Sequence, residues 1–400
     1  MRRAYYTSNE LIAAVQRNIN IPLYQLTYSP EDILAFATEE LFLAQVPSIM
    51  QYHEEYFVFI QEVPLVANKS KYQIPKRAIG MKLRDLFFKD ANGNLIEMNK
   101  VNPDDRSHFQ EYTSSSPEPL HYYLQNNSIH IVPEVSSNVS GSLVFSYFLR
   151  PNSLVTDDRA IICSSFSKSI TINNSALIAG NTLTFQGKTI AADVDFAIGA
   201  NSTATATNIA AYIVNLNDPD ISAAANGPIV MITSLVNDSR YTTSNPAAII
   251  IPNKITINST QTTPEGMVDG SLVDLIQADG GHSSYAIDVR LTRGSVSTSS
   301  VDILDSELSE DFSVGDHICL AGESIIPQVP TDLHMLLVER TCARILSAQG
   351  DQAGLQSSNN KIRDYEQRQA TVIDSRVDGS PTKVFNRHSL LRYGKTRRGL

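Results

Sequence analysis

The 400-residue chain has no tryptophan and only three cysteines, Cys163, Cys319 and Cys342, set far apart. An odd count with no C-x-x-C pair argues against a disulfide framework or a structural zinc site. All three are expected to be reduced and buried, which fits synthesis in a reducing cytosol. No stretch reaches the roughly 18 apolar residues that a membrane span needs. After Met1-Arg2-Arg3, Asn9 and Glu10 interrupt what should be the apolar part of a signal peptide. Neither export by that route nor membrane embedding is expected. Catalytic signatures are missing as well. There is no H-E-x-x-H and no G-x-S-x-G. Gly187-Lys188-Thr189 matches the end of a phosphate-binding loop, but Gly180 lies two residues too far back. No cofactor, metal or enzymatic activity is expected.

What the chain does have is 42% hydrophobic residues, enough for real cores, and a segregated charge. The net charge of -10 is concentrated between residues 263 and 330, where 12 acidic side chains face 2 basic ones. The final eighteen residues, Lys383 to Leu400, carry six basic side chains and no acid. Such an asymmetry suggests a basic arm that meets an acidic surface or nucleic acid. Val384, Phe385, Leu390, Leu391 and Tyr393 lie in the same stretch. A merely solvating tail seldom exposes so many apolar groups, so an arm that orders against a partner is the better account.

Thr7-Ser8-Asn9-Glu10 reads as a capping box, followed by Leu11, Ile12, Val15 and Ile19 at helical spacing. Ser29, Pro30 and Asp32 mark a second helix start, with Pro47 as its expected stop. From residue 50 the period changes to that of strands. Tyr56–Ile60 is expected to pair with Lys71–Ile74, and Asp90–Asn94 and Gln125–Asn127 read as hairpin turns. Ser, Thr, Ala and Asn then dominate from Asp157 to Thr262, with strands at Ser169–Ile172, Thr182–Phe185 and Ile229–Thr233 around a helix at Ala204–Asn215. Strands return at Ala286–Leu291, Val301–Leu304 and His317–Leu320. Helices resume after Pro330, with Gly350 as a stop and a polar helix from Gln352 to about Ser375.

The expected class is α+β. The expected parts are N-terminal helices (1–48), an antiparallel β domain (49–156), an inserted small α/β module (157–262), return strands (263–330), C-terminal helices (331–378) and an extended basic C-terminal arm (379–400). Helices from both chain ends can pack as one bundle while the β material projects from it.

Four constellations invite a chemical reading, and each has a plainer one. His53 beside Glu54 and Glu55 is a poor metal cluster, because neighbours on a strand point to opposite faces. His121 and His130 could face each other across a hairpin, but no further ligands are evident. His317 and Cys319 share a strand face, where burial of the thiol is expected. The acidic pairs Asp104/Asp105 and Glu310/Asp311 read as solvated loop residues.

The most specific stretch is C-terminal. Val314-Gly315-Asp316-His317-Ile318-Cys319 leads to Ile326-Pro327-Gln328-Val329-Pro330-Thr331-Asp332. Ala343-Arg344-Ile345-Leu346, then Arg376-Val377-Asp378-Gly379-Ser380-Pro381, then Asn386-Arg387-His388-Ser389-Leu390-Leu391-Arg392 follow. In order and extent this resembles the head-to-tail connector (adaptor) proteins of tailed bacteriophages, over about residues 1–155 and 263–400. The resemblance implies a structural virion protein, made in the host cytoplasm and placed at the head-tail junction. It implies a ring, commonly dodecameric, bound to the portal protein and to other tail or ring proteins. DNA would pass through its lumen without sequence specificity. It also implies a docking arm, whose charged contacts would be Lys383, Arg387, Arg392, Lys395, Arg397 and Arg398, with Phe385, Leu390 and Leu391 as apolar anchors. The competing expectation is a tail or receptor-binding virion protein that displays the 157–262 module.

Overall fold

The computed structural model describes residues 6–19, 28–105, 121–132, 140–237, 240–278, 284–292 and 296–373. The chain is α+β with strands predominating, and nearly all strand pairing is antiparallel. It divides into two compact units, Met1–Leu43 with Pro151–Arg363, and Ala44–Arg150 with Asp364–Leu400. The helices are α1 (Ser8–Ile19), α2 (Pro30–Glu40), α3 (Val46–Tyr52), α4 (Ser202–Asn215), α5 (His334–Gln349) and α6 (Gln352–Ile373).

Local chemistry sets the helix ends. The Thr7 amide donates to Glu10 Oε2 at 3.1 Å and the Glu10 amide to Thr7 Oγ1 at 3.4 Å, which closes the expected capping box of α1. Ser29 and Asp32 make the same reciprocal pair before α2, with Pro30 in the first turn. Gly350, at φ 78°, ends α5 in the left-handed region that a side chain would resist.

Pro47 does not stop the second helix. A π-helical turn, Leu41–Gln45, joins α2 to α3, and Pro47 sits in the first turn of α3. A proline lacks the amide of the regular ladder and crowds the carbonyl four residues back; the wider turn relieves both problems. The whole run Pro30–Tyr52 is long and apolar enough to cross a membrane on length and composition alone. Its Ile33, Leu34, Ala37, Leu41 and Ile49 are buried inside the protein.

In the second unit, the strands are β1 (Val58–Pro64), β2 (Lys71–Gln73), β3 (Ala78–Asp90), β4 (Leu95–Glu97), β5 (Asn99–Lys100), β6 (His121–Gln125), β7 (Ser128–Val132) and β8 (Gly141–Leu149). They form two four-stranded sheets, ordered β1-β8-β3-β4 and β2-β7-β6-β5. β8 is central, and its Leu143, Val144, Phe145 and Tyr147 are all buried, so both faces are covered there. The expected pairing of Tyr56–Ile60 with Lys71–Ile74 does not form: β1 pairs with β8 and β2 with β7. Residues Glu54–Phe57 are a 3-10 turn instead.

The first unit adds β9 (Ser153–Leu154), β10 (Ala160–Ile172), β11 (Thr182–Phe185), β12 (Lys188–Ala191), β13 (Ile221–Asn226), β14 (Ile229–Ser234), β15 (Thr242–Thr243), β16 (Ile249–Ile250), β17 (Lys254–Ser259), β18 (Leu272–Ile276), β19 (Ser284–Arg290), β20 (Ser300–Leu304), β21 (His317–Leu320) and β22 (Glu323–Ser324). β10 is the organiser. Ala160–Ile162 pair with β21, Cys163–Ser167 with β17, Phe166–Thr171 with β14, and Thr171–Ile172 with β16. One strand thereby enters two apolar cores. Ile170, Ile172, Val230, Ile232 and α4 residues such as Ile209 fill the first. Ile161, Phe166, Ile255, Ile257, Ile303 and Phe312 fill the second.

Candidate functional site

Helices from the two ends of the sequence meet in the first unit, where α1 and α2 both pack on α5. The polar bonds between them are specific. The Tyr6 amide donates to His334 Nδ1 at 3.1 Å, while His334 Nε2 lies 3.2 Å from the Val329 carbonyl, which fixes Nε2 as the protonated nitrogen of a neutral ring. Glu339, 2% exposed, accepts from Asn18 Nδ2 at 2.9 Å, Ser358 Oγ at 2.9 Å and Lys361 Nζ at 3.0 Å, joining α1, α5 and α6. Arg344 pairs with Glu39 and, at 3.2 Å, with Glu40, and its guanidinium lies 5.3 Å from the Phe36 ring centroid. Beside it, a groove of about 430 Å³ between α5 and α6 is lined by Glu40, Arg340, Arg344, Ser347, Asn359 and Ile362.

Asp157 extends the same cluster. Its carboxylate accepts from Thr7 Oγ1 at 3.0 Å and the Asn9 amide at 3.2 Å, so it sits at the positive N-terminal end of α1. Burial nevertheless holds its carboxyl above the ordinary range, because desolvation outweighs those two bonds.

The arm residues singled out in the sequence, Lys383, Phe385, Arg387, Leu390, Leu391, Arg392, Lys395, Arg397 and Arg398, lie outside the described residues. The candidate chemical groups lie within them, and the structure keeps most apart. His130 stands opposite Tyr123 rather than His121 and stacks on it, with centroids 4.9 Å apart. His121 pairs in register with Val132, because the hairpin closes two residues away from the symmetric arrangement. Glu55 is engaged by Arg84, and His53 packs edge-on against Tyr56. Gly187 completes the turn between β11 and β12, and Lys188 pairs with Asp218. His317 and Cys319 are both buried on β21. Desolvation pushes all three thiols up, Cys163 and Cys342 to about 12, the wrong direction for a nucleophile. Among the described residues, no group of His, Cys, Asp and Glu is placed to hold a metal ion.

Two features escaped the sequence reading. Asp274 is fully buried in β18 and accepts from Asn152 Nδ2 at 2.7 Å and from the amides of Asp288 and Gly322 at 3.0 and 2.9 Å. Lys168 is fully buried in β10, one residue before the strand expected at Ser169–Ile172. A strict alternation from Phe166 to Ile172 was the available signal.

No family model matches the chain, and no curated protein matches it. Among solved structures it is similar to a chain described as Mycobacterium phage Patience, at 11% identity and a TM-score of 0.16, over 61% of this chain and 95% of that one. A likeness at that score carries no argument, so function must be read from this chain's own residues.

Proposed function

We propose that the chain is a structural subunit of a phage head-to-tail connector ring that joins portal to tail and lines part of the DNA path. The observation that carries the reading is the meeting of the chain ends. α1 and α2 pack against α5, and Glu339 ties residues 18, 358 and 361 together. In this reading the terminal helices form the compact body of the subunit, in a bundle, and the basic, apolar-studded sequence after α6 is its docking arm. The order of C-terminal motifs that resembles connector proteins supports the same role.

The energetics favour an apolar plug over an ionic clamp. Exposed ion pairs contribute about 0–1 kcal/mol each. Phe385, Leu390 and Leu391 each offer about 1.5–3 kcal/mol on full burial. Repetition around a ring then multiplies weak single contacts into a stable joint. The acidic excess in 263–330 suits a conduit, since many basic side chains would retain phosphates.

The test is a truncation that removes residues 383–400. The shortened chain is expected to stay folded, to show its ring by native mass spectrometry, and to lose binding to the portal. Undiminished portal binding would remove the arm from the mechanism. A chain that stays monomeric at all concentrations, with and without portal, would remove the ring.

A further inference from the structure

Lys168 occupies a position where the sheet calls for an apolar side chain. Phe166, Lys168 and Ile170 alternate onto one buried face of β10, and Lys168 stands opposite Ile232 of β14. Phe166 belongs to one apolar core and Ile170 to the other, so Lys168 lies on the seam between them. Its side chain is completely covered, ammonium included. Lysine usually keeps its charged head in water even when the stem is buried.

The surroundings are as unusual. Lys168 Nζ meets Asp305 Oδ2, one residue beyond β20, and lies 5.6 Å from the Tyr241 ring centroid. The other carboxylate oxygen, Asp305 Oδ1, is buried without a hydrogen-bond partner. Glu307 follows in the turn that its amide closes on the Leu304 carbonyl at 3.0 Å, and its Oε2 is also buried without a partner. Desolvation by burial pulls the Lys168 amine below its ordinary range, which favours the neutral, nucleophilic form.

We propose that Lys168 and Asp305 condense into an intramolecular amide crosslink. The Nζ lone pair attacks Asp305 Cγ, a C–N bond forms, and one C–O bond of the carboxyl group breaks. That oxygen leaves as water, taking one hydrogen from the amine and the proton of the neutral acid. The ion pair reaches amine and neutral acid by transfer of a single proton, so neither oxidant nor co-reactant is needed. The fully covered Lys168 amine is held against the Asp305 carboxyl, whose side chain is 24% exposed and leaves a path for the water to depart. The bond would tie β10 to the end of β20 across β17, which pairs with both.

The experiment is the intact mass of the purified full-length chain under denaturing conditions, followed by peptide mapping. The expected mass is one water, about 18 Da, below that of the sequence, with a branched peptide joining residues 168 and 305. Lys168→Met is expected to show its full sequence mass. Asp305→Asn would lose ammonia in place of water, about 17 Da, a signature that no purely structural ion pair produces. An unmodified mass after prolonged incubation of the folded wild type overturns the proposal. So does a water loss confined to Asp305, which is a cyclic imide.

Discussion

Replacing Glu339 by alanine is the sharpest probe of how the two chain ends are joined. The carboxylate is 2% exposed and takes three hydrogen bonds, from Asn18, Ser358 and Lys361. Removing one partner of a fully buried ion pair costs about 3–5 kcal/mol. Here the Lys361 side chain is 50% exposed and can rehydrate, so its share must be discounted. Asn18 and Ser358 each lose a bond to a charged acceptor, about 1.5–3 kcal/mol before water replaces part of it. A net cost of about 2–4 kcal/mol is expected for Glu339→Ala. Glu339→Gln keeps an acceptor oxygen and the side-chain volume, and should cost less than half as much. With two units in the chain, global melting is a blunt readout. Amide hydrogen exchange in α1 and α6 is the better assay, since both helices lean on this carboxylate. Unchanged protection of Leu11–Ile19 in Glu339→Ala would refute the claim that the group fastens the N-terminal helix to α5.

Asp157→Asn should remove a pH dependence. Burial raises the folded-state value, so between the ordinary carboxylate range and the raised one the folded chain holds a proton that the unfolded chain has released. Stability therefore falls as pH rises through that window in the wild type, and a denaturation series should show no such slope in the variant. Gly350→Ala meets no neighbouring atom but forces a side chain to φ 78°, so a loss of about 1 kcal/mol is expected by urea denaturation. Phe312→Ala empties a position packed edge-on against Phe166 and Tyr285, and about 3–5 kcal/mol should be lost from the first unit. Glu62 is held below the ordinary carboxylate range by Lys89 and Ser142, so its contribution is present near neutrality and disappears as pH falls through that lowered value. Acid titration followed by amide hydrogen exchange in β1 and β8 measures it, and Lys89→Met should flatten the effect.

Helix boundaries were legible because caps are local. Ser29 with Asp32, Thr7 with Glu10, and Gly350 each act within four residues of chain. Pro47 misled for a reason that is not local: the helix absorbs it by widening one turn. Strand content was visible wherever apolar and β-branched residues dominated, as at Thr182–Phe185 and His317–Leu320. It was hidden where a buried charge interrupted the pattern. Asp274 broke up Leu272–Ile276, and Lys168 made a strand of thirteen residues look like one of four. Both charges are tolerated because distant residues satisfy them, and such partners have no signature along the chain. Pairing was the least readable level. That β2 joins β7 rather than β1 depends on contacts across nearly sixty residues. The candidate arm was readable as composition alone.

The double membership of β10 also dictates an order of events during synthesis. Its C-terminal half finds a partner first, because β14 follows about sixty residues later. β16 and then β17 arrive next, and Ala160–Ile162 wait for β21, more than 150 residues downstream. Until then Ile161 has no lasting cover, and every closure after the first must overcome a longer loop. The strand therefore zips from its far end toward its beginning. A ribosome stalled near residue 310 would present a nascent chain with one finished core and one open edge.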